Sequence, residues 1–136
     1  MKRFTSKNQI TGELGEKICV EFLEKNDFRV LEQNYTVATG EIDIIAKKND
    51  IIHFIEVKSI KQQNTHIVSH ETLKYQTNGY NPAQNMTPAK IIKCSRAIHQ
   101  YKLEKSVSCE TQLDLYCVFI DTNNIKHFIE RIENIY

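Results

Sequence analysis

The chain has 136 residues and a mass of 15.9 kDa, with 40% apolar and 26% charged residues, four Gly and two Pro. That length suits one domain, and that composition excludes disordered, collagen-like and repeat classes. Lys and Arg outnumber Asp and Glu by 18 to 17, so no global field draws the chain onto nucleic acid or a membrane; such a role needs locally sorted charge. The N-terminus, Met1-Lys2-Arg3-Phe4, leads into polar residues, and the longest clean apolar run, residues 115–120, is too short to span a bilayer. A cytoplasmic protein is the expectation. Cys19, Cys94, Cys109 and Cys117 are scattered without zinc-site spacing and read as free thiols in or near the core.

Residues 8–26 carry Leu14, Ile18, Cys19, Val20, Phe22 and Leu23 on one broad arc at 3.6-residue periodicity, the mark of an amphipathic helix. Glu16 falls inside that arc. Residues 28–34 are a strand candidate, followed by a polar turn closing on Gly40. Residues 41–46 and 51–59 alternate with period two and read as a β-hairpin turning at Asn49-Asp50. Residues 60–86, rich in Asn, Gln, Thr and His, are read as a long loop with room for one short helix, residues 62–86 being mobile without ligand. Thr87-Pro88 looks like an N-cap with Pro at the first helical position. It opens a helix to about residue 103 with Ile91, Cys94, Ala97, Ile98 and Tyr101 on one face. Residues 113–120 form an apolar strand, and residues 125–132 a final strand or short helix. This order predicts one α/β domain spanning residues 1–136.

The hairpin holds the sharpest chemical signal. Glu41 and Asp43 share a strand face, as do Glu56 and Lys58. With a two-residue loop Asp43 stands opposite Glu56, their Cβ atoms ~5 Å apart. Ile45, Ile52 and Phe54 fill the same face toward the turn, whereas Ile42, Ile44, Ile55 and Val57 are expected to bury the other. Converging carboxylates repel, and burial worsens this. A divalent cation resolves the conflict, and oxygen ligands suit Mg²⁺ or Mn²⁺. Lys58 is placed to orient or deprotonate water there, or to offset charge on a phosphate. Glu16 points toward the same core. The plainer alternatives are a strand-surface ion pair for Asp43, Glu56 and Lys58, and a snorkelling side chain for Glu16.

The run Gly40-Glu41-Ile42-Asp43-Ile44-Ile45-Ala46, the thirteen-residue step from Asp43 to Glu56, and Ile55-Glu56-Val57-Lys58 resemble the PD-(D/E)xK nuclease core. With Gly12-Glu13-Leu14-Gly15-Glu16 ahead of them, they resemble the YraN-like family of predicted nucleases, relatives of archaeal Holliday-junction resolvases and restriction endonucleases. The likeness covers residues 10–60, resumes at Thr87-Pro88-Ala89-Lys90 and continues weakly at Leu113-Asp114-Leu115. It implies a restriction-endonuclease-like core, a mixed central β-sheet flanked by helices. It also implies metal ligation by Asp43, Glu56 and the Val57 carbonyl, with Lys58 as water-orienting base and Glu16 as accessory acid. The chain departs from the family at Thr36, where Arg is common, and at Ser59-Ile60, where a basic residue follows; its 60–86 segment is also longer.

The second helix carries Lys90, Lys93, Arg96, Lys102 and Lys105 against Glu104 alone. Lys93, Arg96 and Lys102 face outward as a phosphate track, or simply as a solvated face. Glu41, Lys90 and Asp114 are accessory candidates; Asp114 either joins the acid site or pairs with a core Lys such as Lys90. His66 and His70 lack a third ligand, and Tyr75 and Tyr80 either stack on bases or pack. The leading expectation is a Mg²⁺- or Mn²⁺-dependent hydrolase, an endonuclease cutting DNA, branched or otherwise structured DNA included. An inactive nucleic-acid-binding module on the same fold is the alternative, and a homodimer through Ile92 and Leu103 a further expectation.

Overall fold

The computed structural model describes residues 7–62, 86–121 and 126–135. Helix α1 (Lys7–Lys25) is followed by β1 (Arg29–Val37), β2 (Gly40–Lys48), β3 (Ile51–Gln62), α2 (Pro88–Glu104), β4 (Glu110–Asp121) and β5 (Lys126–Ile132). The five strands form one sheet in sequence order. β1–β2, β2–β3 and β4–β5 are antiparallel, and β3–β4, joined through α2, is parallel. Over the described residues this is a mixed α/β fold, a central sheet flanked by two helices, compatible with a restriction-endonuclease-like core.

Local chemistry accounts for the boundaries. Both helices end in a left-handed residue, Asp27 (φ 67°) and Ser106 (φ 51°). The next amides, Phe28 and Val107, donate back five residues to Leu23 and Lys102, closing Schellman caps. Thr87 caps α2, its hydroxyl accepting from the Lys90 amide at 3.2 Å. Asn49 (φ 49°) and Asp50 (φ 63°) make a two-residue turn, both central residues left-handed, between Lys48 and its partner Ile51.

The sheet separates two apolar layers. Ile18, Cys19 and Leu23 of α1 pack on Ile44, Ala46, Ile55, Tyr116, Val118 and Ile120. Cys94, Ala97, Ile98 and Tyr101 of α2 pack on Ile42, Ile45, Ile52, Phe54 and Leu113. Tyr101 anchors α2 by edge-to-face contacts with Tyr35 and Phe54. β4, between two neighbours, is buried along residues 113–121.

Several expectations need correcting. Ile42 was placed with Ile44 by alternation, yet it packs in the α2 layer while Ile44 packs in the α1 layer. Alternation breaks at Asp43, one strand away from the left-handed Asn34 (φ 53°) on β1. Leu14 is 40% exposed, because its neighbour Gly15 is the residue pressed against the sheet. The first strand runs on to Val37, and residues 60–62 continue β3 instead of starting a loop. The last element is a strand. Residues 63–85 of the presumed loop, with His66, His70, Tyr75 and Tyr80, lie outside the described residues. All four cysteines are free, three of them buried.

Candidate functional site

The described ladder between β2 and β3 runs from Lys48–Ile51 to Ile44–Ile55. Beyond it, side chains take over from main chain. The Val57 amide donates to Asp43 Oδ2 at 2.8 Å, and the Asp43 amide donates to Glu56 Oε1 at 3.3 Å. Each carboxylate is thereby tied to backbone at the level of the other, which brings Asp43 and Glu56 together at a fork in the sheet. Two features fix this: the two-residue turn sets the register, and the broken alternation at Asp43 opens the ladder.

Both side chains are half-buried, and their acidities respond. Burial raises the Asp43 carboxyl, the Val57 amide lowers it, the Glu41 charge raises it and Lys90 lowers it. Glu56 is pushed up to about 8, first by burial and then by the Asp43 charge; the Asp43 amide and Lys90 act against this. The acids therefore sit in a place that favours protonation or a cation. The fields of Asp43 and Glu16 both reach the buried Cys19 thiol of α1, which burial holds well above the usual range. On the other side, Cys94 of α2 is pushed up to about 12 by burial, with Glu56 and Asp43 adding to it. The fork thus faces both helices.

Glu16 is half-buried on α1, next to Gly15, which packs against Ser59 of β3. A Cβ on Gly15 would lie 1.7 Å from Ser59 Oγ, so only glycine allows the packing that holds Glu16 at this end of β3. Lys58 is half-buried two residues beyond Glu56. Lys90, in the first turn of α2, is the cation acting on both Asp43 and Glu56.

A groove of about 500 Å³ opens from this fork between residues 36–41 and α2, with Glu41 and Glu56 at one end and Lys90, Lys93, Cys94 and Arg96 along the helix. A Cβ on Gly40 would come 2.1 Å from the Lys93 carbonyl, so β2 and α2 meet backbone to backbone at the groove's base. A second hollow of about 430 Å³ shares residues 36–39 and Arg96 and continues to Gln100 and Glu104. The Tyr35 hydroxyl donates to Glu104 Oε2 at 3.0 Å and Gln100 Nε2 to Oε1 at 2.8 Å. Lys93, Arg96 and Lys102 are all exposed on α2; Lys93 and Arg96 line the groove, and Lys102 lies elsewhere on that helix.

Asp114 belongs neither to the acid site nor to a pair with Lys90. Fully buried, it meets His53 Nδ1 at 2.7 Å and accepts from Gln112 Nε2 at 2.8 Å and from the Asn134 amide at 2.9 Å. Parallel pairing of β3 with β4 puts it one strand from His53, and the chain after β5 closes over it. Ligand atoms of His53, Asp114 and Glu133 lie within 4.8 Å of one another. Sequence reasoning missed this cluster, because its members come from β3, β4 and the C-terminal segment with no local spacing to signal it. Among the described residues, no helix is long and apolar enough to cross a membrane.

The model of the uncharacterised protein family UPF0102 matches residues 15–119. A UPF0102 protein of Campylobacter jejuni is 34% identical over 126 residues, 93% of this chain and 96% of the relative. The chain belongs to the UPF0102 family. Relatives from Campylobacter fetus (35% identical, 93% and 96% covered) and Aliarcobacter butzleri (34%, 91% and 94%) are named in the same way. The matched stretch of UPF0102 takes in Gly15, Glu16, the whole β2–β3 hairpin and α2.

Proposed function

We propose that this protein is a divalent-cation-dependent endonuclease of the PD-(D/E)xK type, hydrolysing phosphodiester bonds in DNA. The observation that carries the reading is the pair Asp43 and Glu56, brought together in a half-buried fork where burial raises the pKa of both and the Asp43 charge raises that of Glu56 further. Such a pair gains from a hard cation, and its oxygen donors fit Mg²⁺ or Mn²⁺. Asp43, Glu56 and the Val57 carbonyl would hold the ion, which supplies a Lewis acid for phosphate and water.

The remaining residues have separate tasks. The Val57 amide fixes one oxygen of Asp43, so the carboxylate is held in place before any ligand arrives. Lys58, following Glu56 on β3, orients the attacking water or takes its proton, and Glu16 adds a carboxylate from α1. Lys90 offsets charge on a phosphate at the mouth of the groove. Structured or branched DNA is the substrate to try first.

The test is incubation with branched, nicked and single-stranded DNA, with Mn²⁺ and with chelator. Cleavage requiring Mn²⁺ and lost in Asp43→Asn is the expected result. No Mn²⁺ binding by calorimetry and no cleavage of any of these DNAs would overturn the reading.

A further inference from the structure

We infer that the groove between residues 36–41 and α2 takes a single phosphodiester strand, not a duplex. The inference rests on the nuclease reading and names its substrate class. The groove has one cationic wall. Lys90, Lys93 and Arg96 follow one another at three-residue steps along α2 and line it together, spanning about 9 Å of helix axis. The facing wall is uncharged from Thr36 to Gly40 and offers Val37 and Ala38. A single strand has one phosphate edge and one base edge, which matches one basic wall and one neutral wall. A duplex presents two phosphate backbones, and among the described residues the second would meet no cation on the 36–40 side.

Size and charge limits agree. About 500 Å³ is a ligand-scale space, enough for a nucleotide or two, and its walls converge to backbone contact at Gly40 and Lys93. The basic stretch is also bounded. Glu41 and Glu56 close one end, and Glu104 stands at the other, its carboxyl held below the usual range by hydrogen bonds from Gln100 and Tyr35. Among the described residues that line the groove, the cations stand between these acids, so the strand reaches the Asp43–Glu56 fork along Lys93 and Arg96.

The test is fluorescence anisotropy on the full chain in chelator, with a dT dodecamer, an rU dodecamer and a DNA hairpin duplex of equal charge. Single strands are expected to bind about tenfold tighter than the hairpin. The two dodecamers separate DNA from RNA as the source of the strand. Ala38→Trp, at an exposed turn position, fills the groove without removing a charge and should abolish strand binding. Lys93→Ala with Arg96→Ala should lower the slope of log affinity against log salt by about 1.4, the value for two contacts to a single strand. Equal or tighter hairpin binding, or unchanged strand binding by Ala38→Trp, overturns the inference. Either failure leaves the cleavage reading standing if the parent still binds Mn²⁺ and cuts duplex or branched DNA; absence of Mn²⁺ binding sinks that reading instead.

Discussion

At the residue scale, Glu56 and Asp114 are both acids amid apolar strands, and they carry opposite consequences. Glu56 titrates near 8 when folded, against 4.5 for the ordinary carboxyl. Between those values the unfolded chain releases a proton that the folded chain keeps, so its contribution to stability falls as pH rises through the window. Glu56→Gln should therefore raise the metal-free melting temperature at pH 8 by about 5 °C and change little at pH 4. Adding Mn²⁺ should stabilise the parent and not the variant. Thermal melts at the two pH values, with and without Mn²⁺, check this. Asp114 is fully buried with three polar partners around it: His53 Nδ1, the Gln112 side-chain amide and the Asn134 main-chain amide. Asp114→Ala strands those groups and should cost roughly 3 kcal/mol in urea unfolding, while Mn²⁺ affinity of the folded protein is retained.

At the element scale, the β2–β3 hairpin was the most legible part of the chain. Asn49-Asp50 announced the turn, period-two alternation announced the strands, and together they gave the level at which Asp43 meets Glu56. The break in alternation was illegible, because Ile42 and Ile44 are the same residue type two positions apart and only packing against different helices separates them. The cluster around Asp114 was hidden for another reason: it depends on the parallel β3–β4 pairing and on the chain after β5. In α2, the Thr87-Pro88 cap and the buried face were readable, and so was the outward side of Lys93 and Arg96. Which of those cations line a groove was not, since the facing wall lies on β1 and β2. The turn itself is open to improvement. Asp50 sits at φ 63°, where glycine is unstrained, so Asp50→Gly should stabilise by roughly 0.5 kcal/mol in the same urea assay.

At the scale of the whole molecule, α2 and the hairpin meet at Gly40, where a Cβ would approach the Lys93 carbonyl to 2.1 Å. Backbone cannot yield there as a flexible side chain can. Gly40→Ala should push α2 off the sheet, costing roughly 2 kcal/mol and weakening strand binding more than Mn²⁺ binding. Anisotropy and calorimetry on the variant separate the two effects. The tight turn at Asn49-Asp50 has a consequence in time as well as in space. It lets Asp43 and Glu56 meet through a short hairpin, a contact that forms in microseconds. Lys90, which eases their repulsion, lies more than thirty residues further along the sequence and arrives only when α2 docks. Folding thus brings two like charges together ahead of the cation that tempers them, and refolding should run faster in mild acid or with Mn²⁺ present than at alkaline pH in chelator.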